Sequence, residues 1–298
     1  MYLKNSKTSI LGSWAENNDL FYFRPVVPFT DGKTYLVKTA SEVLDTFRPE
    51  LIEYIPSRIL GIYPSTDTVP ENLLKIYITF SRPMGEQLSG DFITVLNPDG
   101  DSLTKVFLPL QPELWNKSRD CLTLWLDPGR IKRDLGPNLW LGTPLVKGQS
   151  YKIVIASQWK DQMGYPLASS FEKTFTVREP DRIKPDPRDW RVEIPKSGTR
   201  QPLRIHFRES LDFSLLSDCI NIFQVDTIPG KVTISDNQDI WIFTPELDWE
   251  SGFYKIGIDS RLEDLAGNNM IRLFDEEIKD TFQPYPAAGT VILDLQIP

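Results

Sequence analysis

One sequence pattern occurs three times along the chain. Each copy has an apolar strand that ends in proline, then a loop, a glycine and a tyrosine that opens another strand. The key residues are Pro25, Gly32 and Tyr35, then Pro128, Gly148 and Tyr151, then Pro245, Gly252 and Tyr254. Proline ends a strand because it has no N–H for the sheet ladder, and glycine gives the turn its backbone freedom. The pattern predicts one β-hairpin used three times, in a chain built mainly from β-strands.

Two further patterns occur twice each. Residues 73–88 and 202–216 alternate apolar and polar side chains, as a strand with one buried face requires. Residues 159–167 and 262–270 each carry an aspartate followed three positions later by glycine, which predicts a turn between strands. Because the order of elements is the same in both halves, we predict an all-β chain with two β-sandwich domains. The predicted segments are a partial hairpin unit at 1–50, sandwiches at 58–178 and 182–280, and a C-terminal strand or tail at 281–298.

Composition excludes several classes of partner. The chain of 298 residues has 33 Lys and Arg against 41 Asp and Glu, for a net charge of -8. Nucleic acids and anionic membranes both need clustered cations, so neither is expected as a partner. No stretch reaches the roughly 18 apolar residues of a membrane span, and the first residues have too short an apolar run for a signal peptide. We therefore expect no membrane insertion and no signal peptide in this chain.

The reactive side chains are few. The chain has one histidine, His206, and two cysteines, Cys121 and Cys219, so a zinc site of the usual type cannot be assembled. Alternation places His206 on the polar face of a strand between two arginines, which disfavour the imidazolium that a general base must form. The cysteines fall in different predicted domains, so we expect reduced thiols. We predict that the protein is not an enzyme and holds no cofactor and no metal.

The ordered motifs resemble a known family. The segment YPSTDTVPENLLKIYITFSRPM, then the proline hairpin with G-x-x-Y, then KDQMGYPL resemble bacterial Ig-like domains of the S-layer-protein (SbsA) type. Residues 63–177 match most of the pattern, and 182–275 match more weakly, with Ser210-Leu211-Asp212 in place of Pro-Met. Residues 10–40 match only the final hairpin. The resemblance implies tandem Ig-like β-sandwiches that act as a spacer, adhesive or interaction module of an exported bacterial protein. It implies an extracytoplasmic location in the periplasm, at the cell surface or in the medium, and no catalytic residues.

Long loops with aromatic residues are the best candidates for a ligand site, because binding residues usually lie on loops of a rigid scaffold. Residues 111–144 contain Trp115, Asn116, Arg119 and Trp140, and include an insertion at 129–144 that also carries Arg130. Tryptophan flanked by polar side chains is typical of a sugar-binding surface. The alternative is that both tryptophans cap the sandwich core or pack against a neighbouring domain. The partner is therefore predicted to be a protein or a cell-surface glycan.

Several acidic residues are candidates for metal ligands or catalytic groups. The NPDGD segment at 97–101 and the turns at Asp161 and Asp264 contain the oxygen ligands that calcium prefers, but none reproduces a full calcium loop. Plain turns are the favoured interpretation. The carboxylate pairs Glu246 with Asp248 and Glu276 with Glu277 are too near in sequence to indicate a catalytic cleft, and indicate solvated surface charge.

The ends and joints of the domains complete the predictions. Residues 180–190 are rich in proline and charge, which predicts a stiff, exposed linker. The first 50 or so residues are too few for an independent sandwich, so we expect either that the native chain extends upstream or that this hairpin docks on the middle domain. Residues 287–298 alternate like a strand and are a candidate to pair with that hairpin. The leading functional hypothesis is a structural or interaction module, and the alternative is a carbohydrate-binding accessory module.

Overall fold

A computed structural model describes residues 1–17, 20–30, 32–49, 54–133, 135–275 and 289–298. The chain divides into two compact units, Met1–Ile55 and Pro56–Pro298, which are described separately. The strands of the smaller unit are β1 (Tyr2–Leu3), β2 (Gly12–Asn17), β3 (Leu20–Pro25), β4 (Tyr35–Lys38) and β5 (Val43–Phe47). One sheet has the order β1-β4-β5, and β2 pairs with β3 in a second sheet. The rings of Phe29, Tyr35 and Phe47 pack together, with the Phe29 centroid 4.7 Å from that of Tyr35.

The larger unit begins with a sandwich of two sheets. Its strands are β6 (Ile59–Tyr63), β7 (Thr68–Pro70), β8 (Lys75–Phe80), β9 (Ile93–Leu96), β10 (Ser102–Leu103), β11 (Leu114–Trp115), β12 (Cys121–Trp125), β13 (Ser150–Ile155) and β14 (Phe171–Arg178). One sheet has the order β6-β8-β12-β11, and the other has the order β7-β14-β13-β9-β10. A short 3-10 helix covers Ser89–Asp91, and helices α1 (Pro128–Ile131) and α2 (Gly136–Leu141) lie between β12 and β13.

A second sandwich follows in the same unit. Its strands are β15 (Arg191–Glu193), β16 (Leu203–His206), β17 (Ile220–Phe223), β18 (Gly230–Ile234), β19 (Ile240–Pro245), β20 (Gly252–Asp259) and β21 (Thr290–Ile297). Short 3-10 helices cover Pro187–Asp189 and Leu215–Ser217. One sheet has the order β15-β16-β19-β18, and it faces a sheet of order β17-β20-β21.

The strand order identifies the fold. With the strands of the second sandwich lettered A to G in chain order, one sheet is A-B-E-D and the other is C-F-G, which is the immunoglobulin arrangement. The first sandwich has the same order, with β10 added beside C and with β7 pairing parallel to the G strand β14. Inward-facing side chains of both sheets form each core, as alternation in the B strands β8 and β16 predicts. The predicted fold class, all-β with tandem Ig-like sandwiches, is confirmed.

The repeated tyrosine has one structural role in all three copies. Tyr35 accepts a hydrogen bond from the Thr30 amide at 2.7 Å, and Tyr151 accepts one from the Val146 amide at 3.0 Å. Tyr254 donates to the Glu250 carbonyl at 3.1 Å. A buried tyrosine that bonds to backbone a few residues upstream, at the corner between strands E and F, is the tyrosine corner of Ig-like domains. The repeated segment is therefore the E–F connection. The prediction of a β-hairpin is wrong, because the two strands of each copy lie in different sheets and do not pair: the connection crosses from one sheet to the other.

The C-terminal strand belongs to the second sandwich. The sequence predicts a separate strand or tail at 281–298, with 287–298 a candidate to pair with the N-terminal hairpin. The structure instead pairs β21 with β20 in an unbroken antiparallel register from Gly252 and Ile297 to Asp259 and Thr290. This pairing puts β21 at position G and buries Leu295 and Ile297 in the core. Alternation showed that the segment is a strand, but the identity of a strand's neighbour depends on the tertiary fold.

The segment predicted as an exposed linker, 180–190, is partly buried. Asp181 is 7% exposed, and its backbone N–H donates to the Asn72 side chain at 2.7 Å. The Asn72 amide group in turn donates to the Asp181 carbonyl at 2.7 Å. Pro185 and Pro187 are buried as well. The expectation of an exposed linker is wrong because the segment carries polar groups that pair with the first sandwich.

Candidate functional site

The predicted ligand residues Trp115 and Arg119 lie at one end of the first sandwich. The Trp115 ring packs on the core, with its centroid 5.8 Å from Phe80 and 5.9 Å from Trp159, and its indole N–H donates to Glu113 at 3.1 Å. The Arg119 guanidinium lies 5.2 Å from the Trp115 ring and donates to the carbonyls of Met84 and Gly85. These contacts give both side chains a packing role at this end of the sandwich.

The other predicted ligand residues do not share one surface. Asn116 closes the turn before β12, where its Oδ1 accepts hydrogen bonds from the amides of Asp120 and Cys121. Trp140 lies on α2, where it is 81% exposed. Because β12 runs from the turn to the insertion that carries α2, Asn116 and Trp140 lie at opposite ends of the sandwich. Ligand binding by these residues stays a prediction.

The insertion is held by a buried arginine. Arg130, one of the loop cations proposed for a ligand surface, is 9% exposed and donates to the carbonyls of Lys105, Gly142 and Thr143 at 2.8–2.9 Å. Its charge is therefore used to satisfy backbone groups of the insertion. Sequence alone gave no signal for this role, since these carbonyls come from separate loops.

The reactive side chains are placed apart from one another. His206 lies on β16 with Nε2 at 3.0 Å from a carboxylate oxygen of Glu193 on the neighbouring strand. Cys121 and Cys219 are unpaired and lie in different sandwiches, and burial raises the pKa of each thiol to about 11. Raised thiol pKa values disfavour the reactive thiolate.

The candidate calcium ligands and catalytic carboxylates fall into three sets. The side chains of Asp161 and Asp264 each accept hydrogen bonds from backbone amides of their own turns. Glu246 and Asp248 are exposed. The pair Glu276 and Glu277 lies outside the described residues.

A network of charged and hydrogen-bonding side chains lies at the joint between the two sandwiches of the larger unit. The Lys75 ammonium on β8 lies 3.0 Å from a carboxylate oxygen of Asp212 and 2.6 Å from one of Glu263. The Tyr77 hydroxyl donates to Asp212 at 2.7 Å. Burial opposes charge on Lys75, but the two carboxylates outweigh it and raise the pKa of the ammonium. Burial and the charge of Asp212 raise the pKa of Tyr77 far above its ordinary value, so the hydroxyl stays a donor.

Ring stacking and neutral hydrogen bonds surround this charged group. The rings of Tyr63 and Phe213 stack with centroids 3.8 Å apart and planes 8° apart. The Gln238 side chain accepts from the Ser65 amide at 3.1 Å and donates to the Ser65 hydroxyl at 2.7 Å. Together these contacts link the A–B region of the first sandwich to the B–C and D–E loops of the second.

The closing turn of the second sandwich contacts the first sandwich directly. The Leu74 amide donates to the Leu265 carbonyl at 2.9 Å. Gly267 has φ of +78°, and a Cβ built there would overlap the Leu74 side chain. Glycine is therefore required at position 267 for two reasons: the positive φ, and the close approach of the turn to the Leu74 side chain. Gly164 at the matching place in the first sandwich has φ of +86° and no atom within 4 Å of such a Cβ.

Three acidic side chains meet beside the joint. Ligand oxygens of Asp181, Glu209 and Asp264 lie within 4.8 Å of one another, and among the described residues this group is spaced to hold a cation. Two of the three carboxylates already accept hydrogen bonds. Asp264 accepts from the backbone amides of Ala266 and Asn268, and Asp181 accepts from the Arg178 guanidinium. Burial and the neighbouring carboxylates raise the pKa of Glu209 to about 8, and burial raises that of Asp264 to about 7. The raised pKa of Glu209 favours its neutral form at neutral pH, which lowers the repulsion within the cluster.

Sequence reasoning missed the joint. It identified the Asp264 turn and the Asp212 segment as repeated elements, but assigned them to folding within one domain. A signal was present where Ser210-Leu211-Asp212 replaces the Pro83-Met84 of the first copy, since a motif that changes in one copy indicates a local role. The partners of Asp212 lie 135 and 137 positions away, so they were not readable from spacing.

Comparison with known proteins finds solved structures that match this chain at low sequence identity. No family model matches the chain, and no curated protein matches it. The native α-2-macroglobulin fragment from Escherichia coli matches at 13% identity and a TM-score of 0.27, covering 67% of this chain and 65% of that one. The S-layer protein rSbsC matches at 9% identity and a TM-score of 0.28, covering 82% of this chain and 41% of that one. A chimeric titin Z1Z2 matches at 10% identity and a TM-score of 0.26, covering 82% and 97%.

The Ig-like assignment rests on strand order and tyrosine corners, since TM-scores of this size carry no argument about function. The chain spans less than two thirds of the length of the α-2-macroglobulin and S-layer structures. Among the described residues, the helices are too short or too polar to cross a membrane.

Proposed function

We propose that the protein is a non-catalytic structural or interaction module in which two Ig-like sandwiches act as one rigid spacer. The observation that carries the proposal is the joint, where Lys75, Tyr77 and Asp212 form a buried hydrogen-bonded network across the two sandwiches. Breaking a buried ion pair by removing one partner costs about 3–5 kcal/mol, because a charge is left without compensation. Such a joint favours one orientation of the two sandwiches over others.

The cellular setting follows from the sequence motifs. The motif order resembles bacterial S-layer-type Ig-like domains, so we place the module on an exported bacterial protein in the periplasm, at the cell surface or secreted. Its partner in that setting is a protein or a cell-surface glycan. A rigid spacer holds such partners at a fixed separation, which a flexible linker cannot do.

The proposal is tested by measuring the distance distribution between the sandwiches. Spin labels at Lys117→Cys and Asp226→Cys, in a background with Cys121 and Cys219 changed to alanine, report this distance by pulsed electron paramagnetic resonance. Both labelled positions are exposed and lie outside the joint. We expect one narrow distribution, because Lys75, Tyr77 and Asp212 are buried and hydrogen-bonded to one another across the joint.

Variants of the joint test whether its contacts keep the distance distribution narrow. The double variant Lys75→Met with Phe213→Ala removes the ammonium and the ring stack, so it is expected to broaden the distribution. Glu246→Gln is the matched control, since this carboxylate is exposed and away from the joint. A broad distribution in the unaltered protein would show a flexible joint and would rule out the rigid spacer.

A carbohydrate-binding module is the second candidate. The observation in its favour is Trp140, which is 81% exposed on α2 next to Leu139, which is 68% exposed. An exposed indole ring offers a stacking face to a sugar. Glycan-array binding that is lost in Trp140→Ala and kept in Trp115→Ala supports this candidate, and a blank array removes it.

A further inference from the structure

The smaller unit repeats part of the second sandwich strand by strand. Its sheet β1-β4-β5 has β4 at the centre, as the sheet β17-β20-β21 has β20. Both central strands carry the tyrosine corner, Tyr35 in β4 and Tyr254 in β20. Strands β1, β4 and β5 therefore occupy positions C, F and G of an Ig-like sandwich.

The hairpin β2–β3 matches β18–β19 in register. Gly12 faces Pro25 across the first pair, and Gly230 faces Pro245 across the second. A Cβ at either glycine would overlap a phenylalanine ring of the facing strand, Phe23 in one hairpin and Phe243 in the other. Because both hairpins bring a glycine equally close to a phenylalanine ring of the facing strand, β2 and β3 correspond to strands D and E.

Strand E has a second neighbour in both complete sandwiches. The E strand β12 pairs with the B strand β8 on its other side, and β19 pairs with β16. In the described part of the smaller unit, β3 pairs with β2 alone. The edge of β3 that would face strand B is therefore open in this part of the chain.

The exposure of matched residues in β3 and β19 shows the effect of this open edge. Phe21 lies four residues before Pro25, as Trp241 lies four residues before Pro245, so both point to the inner face of the sheet. Trp241 is 0% exposed, whereas Phe21 is 69% exposed. The flanking Leu20 and Tyr22 are 60% and 52% exposed. Apolar exposure on one short strand marks an interaction site.

We propose that the open edge of β3 binds an extended segment of another polypeptide, which adds to the sheet as an antiparallel strand at position B. Main-chain hydrogen bonds to β3 supply affinity, and alternate side chains of the added strand cover Phe21 and Phe23. This inference does not depend on the rigid joint, so either one can fail while the other stands.

The B strands of this chain specify the chemistry of the bound segment. Their inward residues are aliphatic or aromatic at every second position: Ile76, Ile78 and Phe80 in one, and Leu203, Ile205 and Phe207 in the other. Polar residues alternate with them, and proline is absent because a ladder strand needs its N–H groups. The expected partner therefore carries five or so residues of alternating pattern, with branched aliphatic side chains suited to the rings of β3.

The test uses the full chain and a peptide with the sequence of residues 201–209, QPLRIHFRE, labelled with a fluorophore. We expect saturable binding by fluorescence anisotropy. Phe21→Lys is expected to weaken binding at least tenfold, because an inward charge on an edge strand opposes pairing. Val26→Lys is the matched control, since Val26 is 74% exposed but lies beyond β3. A peptide with proline in place of its central isoleucine is expected not to bind.

Hydrogen exchange locates the binding. The amides of residues 20–25 are expected to gain protection when the peptide is added, while those of β16 and β19 stay unchanged. No binding, binding that Phe21→Lys leaves intact, or protection confined to other strands would overturn the proposal. Sedimentation of the chain alone gives one more outcome: a dimer that Phe21→Lys dissociates would show that a second copy occupies the edge, and the proposed partner would be wrong.

Discussion

At the scale of single residues, Gly164 is required only by the conformation of its turn, whereas Gly267 is also required by the contact between the two sandwiches. They occupy the same position of the same turn, with φ of +86° and +78°. Alanine at either position is strained, because a left-handed backbone costs an L-residue roughly 1–2 kcal/mol. At Gly267 the new Cβ would also overlap Leu74 of the first sandwich.

We therefore expect Gly267→Ala to destabilise the larger unit by about 1–2 kcal/mol more than Gly164→Ala does, since overpacking adds to the strain. Urea unfolding of the two variants measures the difference. Equal losses in the two variants would mean that the turn does not press on Leu74.

The acidic cluster gives a pH prediction. Folded-state pKa values near 8 for Glu209 and near 7 for Asp264 lie above the unfolded values of roughly 4. The folded protein then holds protons that the unfolded chain has released, so the free energy of unfolding falls as pH rises from about 4 to about 8. Glu209→Gln removes one titrating group and is expected to stabilise the protein at pH 8 by about 2 kcal/mol, after allowance for solvent screening.

Urea midpoints between pH 4 and pH 9 measure this effect. The variant is expected to show a flatter profile than the unaltered chain and to agree with it near pH 4. Glu246→Gln serves as the control, because that carboxylate is exposed and its removal leaves the cluster intact. If the two variants give the same profile, the cluster does not couple to folding.

At the scale of elements, β21 shows how little a strand's own pattern says about its place. Leu295 and Ile297 alternate with exposed residues, as sequence analysis expected of a strand. The pattern fits any sheet with one buried face, so it left open whether the strand completes the N-terminal hairpin or the last sandwich. Pairing with β20 decided the matter by burying Leu295 among the residues of the second core.

This placement predicts the effect of truncation at two sites of the same strand. Leu295 is 4% exposed and Ile292 is 43% exposed. Leu295→Ala is expected to cost about 2–4 kcal/mol through lost burial and the cavity left behind, whereas Ile292→Ala is expected to cost less than about 1 kcal/mol. Urea unfolding followed by tryptophan fluorescence measures the loss in both variants, since Trp241 and Trp249 are buried in the second core.

The motif repeat was the strongest predictor at this scale. The repeat located the E–F connection because its residues have local roles: Pro25 and Pro245 end strands, the glycines allow the turn, and each tyrosine bonds to backbone upstream. Pro128 differs, since it begins α1. The insertion at 129–144 was also visible, but its conformation was not. Helices α1 and α2 depend on Arg130, whose carbonyl partners come from both sides of the loop.

At the scale of the larger unit, the joint links the two sandwiches within one compact unit. The polar groups at its centre come from separate sandwiches, with the Ser65 and Gln238 pair separated by 173 positions. Asp181 in the connecting segment bonds to Asn72 in the first sandwich and, through its carbonyl, to Asn268 in the second. A connection tied at both ends restricts the relative motion that is the default for linked domains.

The sequence by itself predicted the alternating strands, the Asp–Gly turns and the recurrence of one ordered set of β elements, because alternation, proline and glycine act locally. Only the tertiary structure decided that Trp115 packs on the core, that β21 joins the last sandwich, that one edge of β3 has no neighbour among the described residues and that Asp212 meets Lys75. Those facts depend on which distant residues the folded chain brings together, and a local pattern satisfied by many partners cannot select one of them.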